Sequence, residues 1–341
     1  MSMKIYFQRY WAGIVILIIL ALLPLFSSEY TKIVAMQIFI FGVFAISYDI
    51  LLGYTGIASF GHAIFFGTGA YVSALMMIKA GYSFWATLPF VIVICALIGL
   101  LIGFLTLRFA TIYFTIVTLA LGQFCYFLLT NALTYQYTGG DDGLHGIPAI
   151  LQTKTQMYYL ALAFLLAMFF IAKKIVSSPP GKTLVAIREN EFRAKMIGYN
   201  VLNYRLIALV ISGVMAGLAG SMNAAVLKSV FPSFMGAGTT IDVILMTILG
   251  GMGSILGPVI GAALVIICQQ YLSSYFEWWL MIFGIIFVLV VLFLPQGLIG
   301  IFYRLKDKNN TSEQKLKNEN YNRFKNHFLG KCFQLFRRQD S

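Results

Sequence analysis

Two carboxylates, Asp49 and Asp242, stand inside otherwise apolar stretches of this sequence, and a histidine, His62, follows the first of them. Ionisable side chains in a hydrocarbon setting are costly and usually face a bundle interior or a watery cavity. Asp49 falls near the end of its apolar stretch and Asp242 near the start of another, where an interfacial position would be cheap. A proton relay would carry more acids than these. His62, His145 and His327 are too dispersed for a metal cluster, and no cofactor-binding signature is present. The segment DILLGYTGIASFGHAIFFGTGAY, 49–71, adds five glycines, Gly53, Gly56, Gly61, Gly67 and Gly69, with Thr55 and Ser59 among them. Glycines this dense let a helix unwind or let two helices touch. Unwound backbone at membrane depth is tolerated where it faces protein or a cavity, and transporters hold solutes at such breaks. Asp49, Gly53, Thr55, Gly56, Ser59, Gly61, His62 and Asp242 are therefore candidate solute-path residues. The competing reading is tight helix packing, with serine and histidine bonding across helices.

Three further segments carry spacing information. SGVMAGLAGSM sets Gly213 and Gly217 four apart, and LGGMGSILGPVIGA does the same for Gly253, Gly257 and Gly261. Small residues at i and i+4 line one helix face and allow close backbone approach, so helix packing is the favoured role. TYQYTGGDDGLHGIP, 134–148, is polar and turn-rich, with Gly139, Gly140, Asp142 and Gly143 suited to a docking or gating loop, or to an ordinary ordered one. The basic segment SSPPGKTLVAIRENEFRAKMIGYNVLNYR predicts a helix over 183–197, closed by Gly198. Glu189 to Arg193 and Glu191 to Lys195 are i,i+4 pairs in the stabilising order. Leu184, Ile187, Phe192 and Met196 supply an apolar side, for a partner's groove or for the membrane surface. PGKT at 180–183 is not a phosphate-binding loop: Val176 stands where the first glycine is needed, and an apolar span precedes it instead of a strand.

The elements that must position these residues follow from composition. Of 341 residues, 60% are hydrophobic and 11% charged, against about 25% charged in a soluble domain. Apolar blocks of about 20 residues match a helix crossing a bilayer core. An all-α, polytopic transmembrane bundle follows. The expected spans are 11–26, 33–52, 63–78, 84–107, 112–133, 157–172, 206–227, 240–249, 255–272 and 278–302. Spans 63–78 and 240–249 are irregular, so the count lies between about 8 and 10. The formal charge of +12 raises nucleic acid as a partner, but seven of the 24 Lys and Arg lie in 173–205 and ten in 304–341. Such clustering marks cytoplasmic loops with lipid contact as a by-product, and argues against nucleic acid. Both termini and the 173–205 loop are then expected inside, and Asp141 and Asp142 outside. The domain reading is a transmembrane domain over 1–303, which includes the 173–205 loop, and a basic polar tail over 304–341. The four cysteines form no CxxC and define no disulfide framework.

With LLGYTGIASFGHAIFFGTGAY, TGGDDGLHGIP, AIRENEFRAKMIGYNV, LMTILGGMGSILGPVIGA and the ending FLPQGLIG, the chain resembles the LivM-like permeases of branched-chain amino acid importers of the ABC class, over about 30–302. The resemblance implies a permease that pairs with a related second permease, two cytoplasmic ATPase subunits and an extracytoplasmic solute-binding protein. It implies no catalysis on this chain and a bacterial inner-membrane location. Glu191, Ala194 and Gly198 match the short EAA-type motif by which such permeases contact their ATPases. Residues 183–198, with Ala186, Arg188 and Glu189 among them, are then the coupling helix. Related permeases for urea and short amides share several of these motifs. An ion-coupled secondary transporter would transport alone and would leave the EAA-like loop without a role. A membrane-embedded enzyme would group His and acids at one depth, and a channel would conduct without an ATPase.

Overall fold

The computed structural model describes residues 18–25, 27–108, 111–131 and 135–275, with a few positions between 278 and 298. The 304–341 tail and most of the expected first and tenth spans lie outside them. Helix α1, Glu29–Thr55, starts at Ser28, whose side chain accepts from Thr31 N–H, and stops at left-handed Gly56. It is 27 residues long, about 40 Å at 1.5 Å per residue, more than a hydrocarbon core needs. Then follow α2 (Ala63–Lys79), α3 (Phe84–Thr106), α4 (Thr111–Thr130), α5 (Lys154–Ser177), α6 (Pro179–Glu189), α7 (Glu191–Met196), α8 (Val201–Leu227), α9 (Ala237–Gly250) and α10 (Leu256–Tyr275). Six of these, α1, α3, α4, α5, α8 and α10, are long and apolar enough to cross a membrane. The two spans that read as irregular are the short helices: α2 has 17 residues and α9 has 14.

Burial sorts the long helices into two layers. In α1 and α8, 72% of the apolar window is buried inside the protein, against 17% in α4. The first pair forms the core and α4 turns its apolar surface outward, where lipid is its natural solvent. Helix α1 packs on α5, α8, α9 and α10, and α8 packs on α2 and α3. The small residues make these crossings close. A Cβ on Gly69 would meet the Gly217 carbonyl, and one on Gly220 the Phe66 carbonyl, so α2 and α8 touch backbone to backbone. Gly213 faces the Phe65 ring. On the other side of the core, Gly261 lies on the Met246 carbonyl and Gly257 beside Gly250, joining α9 to α10. The expected Gly253–Gly257–Gly261 face is corrected by one member: Gly253, at φ +77°, belongs to the turn before α10 begins at Leu256.

The two core helices run in opposite directions. Helix α1 starts beside α5, where Lys154 meets Glu29 at 2.6 Å, and ends at the 173–205 loop, where Arg188 reaches Gly53. Helix α8 starts at that loop, where Arg205 meets Glu191 at 2.9 Å, and ends at the 134–148 segment. Each is followed by a stretch without α-helix and then a short helix: 56–62 and α2 after α1, and 228–236, which holds a two-residue strand and a 3-10 turn, and α9 after α8. The starts of the two short helices meet, with Ala63 N–H donating to Thr240 Oγ1 at 3.2 Å.

Candidate functional site

The glycine-rich stretch does unwind. Between α1 and α2, residues 56–62 have no regular helix, yet Ile57, Ser59, Gly61 and His62 are buried. Buried backbone needs partners, and threonines on neighbouring helices provide them. Thr118 Oγ1 accepts from Phe60 N–H at 3.2 Å, and Thr115 Oγ1 donates to the Ala58 carbonyl at 2.9 Å. Gly61 is pressed against the Thr118 carbonyl, which leaves no room for a Cβ. His62 is wholly buried, shares a 3.1 Å hydrogen bond with Ser47 Oγ, stacks on Phe44 and meets Tyr48 and Phe65 edge-on. Ser47 lies eight residues before the end of α1, about 12 Å along the helix, so the break re-enters the bundle well below its surface.

The expected solute-path residues do not form one group. Ser59, Gly61 and His62 gather at the break, with Thr240 of α9. Thr55 and Gly56 lie at the end of α1, Thr55 turned back on the Leu51 carbonyl. Asp242 instead faces α10, accepting from Gln269 Nε2 at 3.0 Å. Asp49 and Gly53 lie at the loop end of α1. Asp49 is 1% exposed and its Oδ1 accepts from Gly253 N–H at 2.8 Å. The glycine and acid pattern pointed to this region, but not to Ser47, Thr115, Thr118 and Thr240. Their only signal in the sequence is a hydroxyl inside an apolar span.

The basic loop is two helices, which corrects the single helix expected over 183–197. Helix α6 starts earlier, at Pro179, with Ser178 capping Gly181 N–H. It stops at Asn190, whose backbone is extended and whose side chain accepts from Arg193 N–H at 2.8 Å, so that Asn190 caps α7. An asparagine competes with the helix for its own backbone groups and favours caps. The break has two consequences. Glu189 and Arg193 no longer share one helix, whereas Glu191 and Lys195 pair at 2.7 Å. The apolar residues also divide: Leu184, Ile187 and Ala194 are buried, while Phe192, Met196 and Ile197 are about 70% exposed. Ala186, Arg188 and Glu189 are on the exposed side of the loop. Gly198, at φ +96°, closes α7 in a conformation that suits glycine. Glu191 also holds Arg205 of α8, and the hydrogen bond from Lys195, then the Arg205 charge, keep its carboxyl below the ordinary glutamate value.

At the other end, Gly139, Gly140 and Gly143 all take positive φ around a short turn that exposes Asp141 and Asp142. The next residues form β1, Leu144–His145, paired antiparallel with β2, Ser229–Val230. His145 Nε2 lies 2.8 Å from the Asp142 carbonyl, and its ring packs on Phe231. The segment is thus an ordered loop, clipped to the chain that leads into α9. Among the described residues no group of His, Cys, Asp and Glu is arranged to hold a metal ion.

Six helices long and apolar enough to cross a bilayer, packed around a buried helix break, make this a multi-pass membrane protein. A family model described as branched-chain amino acid transport system / permease component matches residues 30–291. The chain belongs to that family, one of transport permeases rather than of catalytic enzymes. It is 27% identical to the Escherichia coli high-affinity branched-chain amino acid transport system permease protein LivM, over 88% of this chain and 77% of that one. It is 24% identical to the probable branched-chain amino acid transport permease protein LivH of Methanocaldococcus jannaschii, over 73% of this chain and 85% of the other. A ribose import permease, RbsC of Escherichia coli, is 27% identical over 48% of this chain and 56% of its own length.

Proposed function

We propose that the chain is one permease subunit of an ATP-driven importer in a bacterial cytoplasmic membrane, carrying branched-chain amino acids inward. It pairs with a second, related permease. Two ATPase subunits complete the assembly on the cytoplasmic side, one of them docking on the 173–205 loop, and an extracytoplasmic binding protein delivers solute near the 134–148 loop. The observation that carries this reading is the surface of α7. Phe192, Met196 and Ile197 stand about 70% exposed on a short basic helix beyond the spanning segments, and such a surface fits a partner's groove. Glu191, bound to Lys195 and Arg205, would transmit displacement of α7 directly to core helix α8, a rigid-body route from partner to bundle.

The solute path is proposed at the break. Ser59, His62 and Thr240 lie there between the starts of α2 and α9, the arrangement in which transporters use discontinuous helices. Ion-coupled transport by this chain alone would leave the exposed face of α7 without a purpose. The test is gentle solubilisation, pull-down of the chain and identification of what accompanies it, followed by uptake in proteoliposomes. A co-purifying second permease and ATPase, with ATP-dependent leucine uptake that unlabelled isoleucine and valine compete away, is the expected result. ATP-dependent uptake that responds to urea or ribose instead would keep the importer and change its solute. Transport by the purified chain without ATP would overturn the reading.

A further inference from the structure

At the loop end of α1, four groups meet. Arg188 Nη1, from α6, donates to the Gly53 carbonyl. Gly253 N–H, from the turn joining α9 to α10, donates to Asp49 Oδ1 at 2.8 Å. Asp49 and Gly53 are one turn apart on α1, and a Cβ on Gly53 would collide with both Asp49 Oδ1 and Gly253 N. The Arg188 guanidinium lies against Gly253 too, 3.2 Å from where a Cβ would stand. The other carboxylate oxygen, Asp49 Oδ2, is buried and has no hydrogen-bond partner among the described residues.

The arrangement is poised between two states. A buried carboxylate oxygen without a donor is expensive. Arginine holding a neutral carbonyl makes a weaker bond than arginine holding a carboxylate. A stronger partner for Arg188, one helical turn along α1 from the carbonyl it holds, is therefore untaken. Arg188 also belongs to the one segment that moves if a partner displaces the loop, while Asp49 is tied to the turn that positions α9 and α10. We propose that Arg188 and Asp49 form a latch between the 173–205 loop and the bundle. In the described state Arg188 holds the Gly53 carbonyl. When the loop is displaced it passes to Asp49 Oδ2, and through Asp49 and Gly253 the displacement reaches α9 and the break beside its start. Asp49 and Arg188 are then positioning residues of transport, and Asp49 is a joint instead of a solute contact. The proposal rests on the importer reading, since it needs a partner that moves the loop.

Asp49→Asn tests it in the assembled importer, with ATP hydrolysis and solute uptake measured together. Asparagine keeps an oxygen for Gly253 N–H and nearly the same shape, so a merely structural role predicts no change. The latch predicts intact assembly, hydrolysis close to normal, and uptake per ATP lowered by roughly tenfold, within the usual range of coupling between sites. Arg188→Gln should do the same, Arg188→Lys should recover part of the loss, and the double variant should be no worse than either single one. Wild-type uptake in Asp49→Asn, or losses that multiply in the double variant, would overturn the latch alone. Wild-type assemblies without ATP-dependent uptake would overturn the importer reading and the latch with it.

Discussion

Glu191 shows how much one side chain carries here. It joins Lys195 within α7 and Arg205 at the start of α8. Both contacts need the carboxylate, and its folded pKa is lowered. The tie is thus complete above the ordinary glutamate value of about 4.3 and is lost as pH falls through the lower folded value. Half-exposure makes the effect on stability small, so the readout is local: the hydrogen-exchange protection factors of 195–199, corrected for the intrinsic rate at each pH, should fall with acidification in the wild type and be low and pH-independent in Glu191→Gln. Glu191→Lys should place like charges together and abolish uptake while the protein still reaches the membrane. Gly198→Val forces a β-branched residue to φ +96°, at a cost of roughly 1–2 kcal/mol or more, and should distort the same end of α7 with the same loss of uptake. Normal uptake in both variants would remove the coupling role from this loop.

At the scale of elements, the close crossings of α2 on α8 and of α10 on α9 have one cause, small residues where backbones meet. Gly217 lies against Gly69 on one side and Cys95 Sγ on the other. Gly217→Leu should therefore separate α2, α3 and α8, with an overpacking cost of about 1–3 kcal/mol read as a lowered melting temperature in detergent. Gly238→Ala, where an added Cβ meets nothing within 4 Å, should leave melting unchanged. Equal melting of both variants would mean that α8 does not rely on this contact. The buried break depends on a different chemistry. It exists because Thr115, Thr118 and Thr240 take the backbone groups that an uninterrupted helix would satisfy internally.

For the whole molecule, opposite-running core helices followed by short helices place the break between the starts of α2 and α9, and α6 and α7 lie across the end where α1 finishes and α8 begins. A bundle so arranged can be driven from that end. The chain alone, in proteoliposomes with a proton or sodium gradient, should take up no leucine. Adding the second permease, the ATPase subunits, the binding protein and ATP should give uptake insensitive to ionophores. Gradient-driven uptake by the isolated chain would instead make it a secondary transporter.

Helical class, membrane setting and the positions of most long spans were legible in the sequence, because a helix in lipid satisfies its own backbone and only needs apolar residues of sufficient length. Thus 84–107 reads almost as α3 is. The small-residue spacing likewise announced close crossings at Gly213 and Gly217, and Gly198 announced the end of α7. The partners of each residue were not legible. Asp49 read as a candidate solute-path residue because it is a carboxylate inside an apolar stretch, but nothing in the sequence tied it to Gly253, more than 200 residues away. The division of the loop at Asn190 turned on a single cap, which sent Phe192 outward while Ile187 went inward. Whether an unwound segment is held by threonines, and which oxygen of a buried acid is left open, are decided by what packs across the bundle, and that information is spread over helices far apart in the chain.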